Sequence, residues 1–322
     1  MLKVAPEYVT PLDCALNRFA ASLPDIGETA DGGGSYGGYK ELTRRLMNVT
    51  GDVPGLDASA LFCAAQREME SGVDGGRADI CERSLYNAVP AGAMAGKGDC
   101  ISLLKHINGY VFGQDGYTVF VNLFVASSLR LPVEGENVCL HMRTDYPVGG
   151  VRVEIEEGCG GFVLALRLPA WARTYRLTVN GASRVTVMDC GYIFLDGLRA
   201  GDVVDYELDF APYFLRANPL RDELAGMCCV CVGPVAYAAR PEDNPGGLGN
   251  LLLDPRRSAE MFTENGRSRL RLPAKRVAQG GWDVYELYAA HLAPKYEEVS
   301  AFLVPYAEAG EGSRVWLRSE DR

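Results

Sequence analysis

Three closely spaced thiols are the first candidates for chemistry. Cys228, Cys229 and Cys231 lie in the run Met-Cys-Cys-Val-Cys-Val-Gly-Pro, and thiols at that density raise the question of a metal site or a nucleophile. The apolar neighbours predict a strand. Alternation then puts Cys229 and Cys231 on one face and Cys228 on the other, so the three do not converge on one ion. Buried structural thiols are the plainer reading. His106, His141 and His291 are read as isolated, because none has a histidine or cysteine partner at i+2 to i+4; surface or packed histidines are expected. Cys100 and His106 would make a thiolate–imidazole pair only if they shared a helix face, and their spacing does not place them on one. Gly32-Gly33-Gly34 is not a phosphate loop, since no Gly-Lys-Ser/Thr follows and no strand precedes it.

The elements that must carry these residues change character near Gly109. Before it the apolar spacing is helical. Leu12, Ala15, Leu16, Phe19, Ala20 and Leu23 form one face. Tyr39, Leu42, Leu46 and Val49 form another, with Gly51 as its C-terminal cap. Leu61, Phe62, Ala65 and Met69 mark a third helix stopped by Gly72, and Asp79 to Val89 and Asp99 to Ile107 predict two more. Gly-rich breaks at residues 32–34, 75–76 and 92–98 separate them. After Gly109 the period is two. Strands are predicted at residues 119–125, 151–155, 162–168, 175–179, 192–195 and 203–210, with turns at Asp115-Gly116, Gly149-Gly150, Asn180-Gly181 and Gly201-Asp202. A second β group is predicted over residues 227–238, 270–272, 284–289, 299–304 and 314–317, after a boundary at Asn218-Pro219.

Composition bounds the function. The chain has 322 residues, which predicts about two domains, and 48% apolar with 23% charged residues is ordinary for a globular protein. A net charge of −10 argues against nucleic acid or an anionic membrane as partner. No apolar run reaches membrane-spanning length, and Met1 to Thr10 lacks the pattern of a signal peptide. Ten scattered cysteines read as reduced thiols of a cytoplasmic protein.

An ordered series of motifs goes further. It begins with Glu82-Arg83-Ser84-Leu85-Tyr86-Asn87, Gly109-Tyr110-Val111-Phe112, Asp115-Gly116 and Val121-Asn122-Leu123-Phe124. Asp145-Tyr146-Pro147, Leu166-Arg167-Leu168-Pro169-Ala170-Trp171-Ala172, Val179-Asn180-Gly181, Gly191-Tyr192 and Gly201-Asp202 follow. Asn218-Pro219, Gly233-Pro234-Val235-Ala236-Tyr237 and Asp243-Asn244-Pro245 close it. No single motif is specific, but the ordered set resembles glycoside hydrolase family 127, the β-L-arabinofuranosidase family. Residues 246–322 match only by position and β character.

The resemblance implies an α+β multidomain fold, an (α/α)6 barrel followed by two antiparallel β-sandwiches. Residues 1–108 would be a helical remnant of the barrel, 109–213 the first sandwich and 214–322 the second. Twelve helices need on the order of 180 residues, so the chain is expected to be a shortened, degenerate or fragmentary member. The resemblance also implies hydrolysis of terminal β-L-arabinofuranosyl linkages by a cysteine nucleophile on zinc, with plant-type glycans or arabino-oligosaccharides as partners and a homodimer as one assembly. Zinc would be held by one glutamate and three cysteines, in an E-T-C and a C-C-P-P-N segment. Here the first reads Glu28-Thr29-Ala30, in a weak match, or is replaced by Gly32 to Gly34; the second falls near Ala95 and Gly96, with Cys100 the nearest thiol. Most zinc ligands are therefore expected to be missing, and the chain to be impaired or inactive alone. A non-catalytic carbohydrate-binding or assembly module is the second reading.

By the same resemblance Glu82 is a candidate for binding sugar hydroxyls, against a plainer reading as a solvated helix residue paired with Arg83 or a neighbour. Glu28 is a residual metal candidate, or simply a loop carboxylate. Trp171 would stack on a sugar or pack between sheets. Val148 and Leu198 stand where the family pattern often carries further tryptophans. No catalytic residue is assigned: the family's acid should precede the E-T-C segment, where Glu7, Asp13 and Asp25 are the acidic residues, and none of them stands out.

Overall fold

A computed structural model describes residues 1–25, 47–54, 57–278, 288 and 295–320. The chain divides into two compact units, Met1–Phe210 and Ala211–Arg322. It is a mixed α+β protein with few helices and several sheets. No described helix is long and apolar enough to cross a membrane.

The helices belong to the first unit: α1 (Ala15–Ser22), α2 (Ala58–Glu70), α3 (Gly75–Tyr86), α4 (Ala88–Met94) and α5 (Gly98–Lys105). The starts of α2 and α3 are capped by aspartates. Asp57 accepts from the Ser59 N–H and Asp74 from the Gly76 N–H, each at 2.9 Å. Leu61, Phe62, Ala65 and Met69 of α2 are buried, as their spacing predicts, and Gly72 follows the helix end. Asn87 breaks the continuous helix expected over Asp79 to Val89 and separates α3 from α4. Gly92 lies inside α4 rather than in a break. The close approach of α5 explains it, since a Cβ there would sit 2.6 Å from the Cys100 Sγ. The helix expected around Tyr39 to Leu46 lies outside the described residues, as do Glu28 and Gly32 to Gly34.

The strands of this unit are β1 (Leu2–Lys3), β2 (Val9–Pro11), β3 (Phe112–Asp115), β4 (Thr118–Val121), β5 (Ser127–Val133), β6 (Glu136–Thr144), β7 (Val151–Glu157), β8 (Val163–Arg167), β9 (Tyr175–Val179), β10 (Ala182–Ser183), β11 (Val187–Asp189), β12 (Tyr192–Asp196) and β13 (Val203–Leu208). They form two sheets, ordered β1-β3-β4-β8-β12-β11 and β10-β9-β13-β7-β6-β5-β2. The region before Gly109 is thus not wholly helical, because β1 pairs with β3 and β2 with β5. The β5–β6 hairpin turns at Glu134-Gly135 with φ of 45° and 90°, the left-handed pair that matches strand twist. The predicted Asn180-Gly181 turn has the same form, with φ of 52° and 78°. Between Cys139 and Leu140 the β6–β7 register shifts by one residue.

The second unit holds β14 (Tyr213–Arg216), β15 (Met227–Val232), β16 (Val235–Ala239), β17 (Leu251–Leu253), β18 (Glu260–Glu264), β19 (Arg267–Val277), β20 (Tyr296–Pro305) and β21 (Leu317–Ser319). The single strand expected over Met227 to Ala238 is a hairpin, turned at Gly233-Pro234. The strands form one hydrogen-bonded ladder ordered β14-β15-β16-β20-β19-β17-β21, with β18 paired to β19. The short β21 also pairs with β15, so the ladder returns on itself and covers edges that two open sheets would expose. The strand expected at 284–289 lies almost wholly outside the described residues.

Candidate functional site

Four of the motif segments meet inside the first unit. On α3, Asp79 and Glu82 are three apart and share a face. Arg167 ends β8, Trp171 lies in the turn beyond it, and Tyr146 follows β6. Arg167 is fully buried and Glu82 is 1% exposed. The guanidinium donates from Nε to the Asn122 carbonyl at 2.7 Å, from Nη1 to Asp79 Oδ1 and from Nη2 to Glu82 Oε1. Glu82 Oε1 also accepts from the Tyr146 hydroxyl, and Oε2 accepts from the Trp171 indole N–H at 2.9 Å. Asp79 Oδ2 takes the Ala170 N–H at 3.2 Å. Aromatic rings close around the charges: Trp171 and Phe210 lie 5.1 Å apart, and Tyr146 and Phe210 5.6 Å.

One cation serves two carboxylates in a water-poor space, and the electrostatics follow from that. Burial raises the Asp79 pKa to about 6; Arg167 opposes the shift and Glu82 adds to it. Burial works against the Arg167 charge, but Glu82 and Asp79 outweigh it and hold the guanidinium protonated. Burial, then Glu82, lifts the hydroxyls of Tyr86 and Tyr146 far above their ordinary range. Glu82 therefore faces protein donors, not solvent, and its partner is Arg167 rather than Arg83. Trp171 packs among rings with its N–H committed to Glu82. The Asp79 side chain keeps 22% exposure, so it is the carboxylate of this cluster able to exchange a proton with solvent near neutral pH. Tyr146 and Arg167 stand in the quoted motifs, but their roles went unread because they are 64 and 85 residues from Glu82.

The other sequence candidates separate. The Cys100 thiol donates to Asp57 Oδ1 at 3.3 Å, and burial, followed by the Asp57 charge, raises its pKa to about 12. His106 Nδ1 instead meets the Ser102 carbonyl at 2.8 Å, so the two do not pair. Asp13 pairs with Arg18 at 2.7 Å and Asp25 with Lys105 at 3.4 Å, both on the surface. Cys228, Cys229 and Cys231 are buried, with the Cys229 and Cys231 sulfurs on one face 3.8 Å apart. Ala95 and Gly96 carry no side-chain ligand atoms, so they do not fit the zinc ion that the resemblance implies; Glu28 and His291 lie outside the described residues. His141 is not isolated. Cys139, two residues before it on β6, lies beside it, at a spacing of i−2 rather than i+2 to i+4.

Residues 118–210 match the family model described as beta-L-arabinofuranosidase, GH127 middle domain. That segment is a glycoside hydrolase family 127 domain. The chain is 30% identical over 161 residues to a non-reducing end beta-L-arabinofuranosidase of Bifidobacterium longum subsp. longum, covering 47% of this chain and 24% of that protein. The crystal structure of a family 127 beta-L-arabinofuranosidase from Geobacillus stearothermophilus T6 superposes with a TM-score of 0.79 at 25% identity, over 88% of this chain and 56% of that one. A family 127 beta-arabinofuranosidase superposes with a TM-score of 0.74 at 21% identity, over 85% of this chain and 54% of that one, a likeness of fold. The chain thus spans about half the length of these solved relatives.

Proposed function

We propose that this chain works in the processing of arabinose-containing glycans, with terminal β-L-arabinofuranosyl groups as the sugar it meets. The observation that carries this reading is the convergence of Glu82, Tyr146, Arg167 and Trp171, drawn from three separated family motifs, on one buried cluster. In this proposal residues 1–108 are a remnant of the family's helical barrel and 109–213 and 214–322 its two β-sandwich modules. The unit boundary at Phe210 and Ala211 supports a division close to 213. Glu82 acts on sugar through the segments it holds, by fixing the Trp171 turn and Tyr146 against α3. Ten cysteines without a disulfide suit a cytoplasmic setting.

A second reading, a carbohydrate-binding or assembly module without turnover, is favoured by Ala95 and Gly96 at the expected ligand positions and by the closed surroundings of Glu82. The hydrolase and the carbohydrate-binding readings both require sugar binding, and a purely assembly role does not. Titration of the whole chain with arabino-oligosaccharides, followed by the indole N–H resonance of Trp171, is expected to show a saturable shift that weakens in Glu82→Gln. A folded protein with no saturable response would overturn the assignment to arabinose-containing glycans.

A further inference from the structure

The β6–β7 ladder carries a second group of chemistry-bearing side chains, separate from the buried cluster. Cys139 and His141 alternate on β6 and so point to the same face. The register shift pairs Cys139 with Glu157 and Leu140 with Ile155. Glu156 is therefore the extra residue of a bulge, a device that re-aims a side chain, and it joins the other two. The Cys139 Sγ and the His141 Nε2 each lie 2.9 Å from Glu156 Oε2. All three ligand atoms fall within 4.8 Å of one another.

We propose that Cys139, His141 and Glu156 form a binding site for a zinc-class divalent cation, with a fourth position open to water. Sulfur, imidazole nitrogen and carboxylate oxygen are the donor set such an ion prefers, at bond lengths of about 2.0–2.3 Å. A tetrahedron of that size has edges of about 3.5 Å, so the three atoms need to move apart only slightly to enclose the ion. The outer groups fit the same role. Ser128, opposite His141 on β5, places its Oγ 2.6 Å from Nδ1. That hydroxyl can accept the Nδ1 proton, leaving the Nε2 lone pair for the metal. His141 and Glu156 are partly exposed, with side-chain exposures of 31% and 49%, so the ion has a path in. Glu154 and Glu157 add negative charge on β7. Arg130 is the competitor: it donates to Glu156 at 3.3 Å and to Glu157 at 2.6 Å, and its side chain is 62% exposed and free to swing out. On binding, the Cys139 thiol gives its proton to solvent as the sulfur–metal bond forms, with no change of oxidation state.

The test is a Co²⁺ titration of the reduced, full-length chain, read by thiolate-to-cobalt charge-transfer absorption and by displacement with Zn²⁺. One equivalent is expected to bind with a thiolate band. Cys139→Ser should abolish the band, and His141→Gln and Glu156→Gln should each weaken binding at least tenfold. Ser128→Ala should weaken it about tenfold, Arg130→Gln should tighten it, and exposed Cys159→Ser should leave it unchanged. Circular dichroism confirms folding of each variant, and the partly exposed His141→Gln keeps the test decisive if Cys139→Ser does not fold. A folded chain with no thiolate band, or a band that survives both Cys139→Ser and His141→Gln, would overturn the proposal.

Discussion

Asp79 is the residue at which pH reaches the buried cluster. Its carboxyl titrates at about 6 in the folded chain against an ordinary value of 3.8, because burial outweighs the attraction of Arg167. A carboxyl with a raised folded pKa binds more protons folded than unfolded. Its contribution to stability is fully present below about pH 4 and is lost as pH rises through about 6. The shift corresponds to a loss of up to about 3 kcal/mol. Denaturant unfolding of the wild type and Asp79→Asn at intervals between pH 4 and 7 should show the wild type losing stability relative to the variant across that window. Parallel curves would remove Asp79 from the account. Three donors fill the neighbouring Glu82 carboxylate, which is 1% exposed. Glu82 was visible in the sequence as a candidate, but its state was not. A carboxylate four residues from the next tyrosine looks like any solvated helix position until residues 64 and 85 positions away supply the donors.

At the scale of elements, α3 is held to the sheet at its first residue. The Gly75 N–H donates to the Cys190 carbonyl at 2.8 Å, and a Cβ on Gly75 would come within 2.9 Å of the Gly191 Cα. The obstacle is backbone in the β11–β12 turn, where Gly191 has φ of 81°, so it has little room to yield. Gly75→Ala should therefore cost about 1–3 kcal/mol as an overpacked contact. Gly76→Ala, whose Cβ would meet only the Asp74 carboxylate at 3.2 Å, should be close to neutral. Thermal melts of the two variants decide it, and equal losses would show that the close approach does not matter. The sequence presented Gly75-Gly76 as a break between helices, which is right about the interruption but silent on the partner. The helical faces and most of the strands after Gly109 were legible because amphipathic period survives in a single chain. The two N-terminal strands were not, since β1 and β2 are two and three residues long and owe their existence to pairing with β3 and β5. The closed ladder of the second unit was equally hidden, because it depends on a three-residue strand meeting β15 and β17.

For the molecule as a whole, metal binding and glycosidic chemistry come apart. The resemblance implies a zinc-held thiolate nucleophile, and the positions expected to supply adjacent cysteines fall near Ala95 and Gly96. The thiol, imidazole and carboxylate that do converge lie on β6 and β7, while the cluster built from Glu82, Tyr146, Arg167 and Trp171 is a separate set of residues. A cation on Cys139, His141 and Glu156 would tie two strands together across their bulge. Zinc should bind the reduced chain and raise its melting temperature, by an amount set by the ratio of free zinc to its dissociation constant. It should leave the release of an aryl group from an aryl β-L-arabinofuranoside at the level of the metal-free chain. Measuring both on one preparation separates the possibilities. Stabilisation without turnover fits a structural cation in a protein that binds arabinose-containing glycans. Zinc-dependent turnover that persists in Cys139→Ser would require a second metal centre with a different donor set, and the module reading would then give way to a hydrolase.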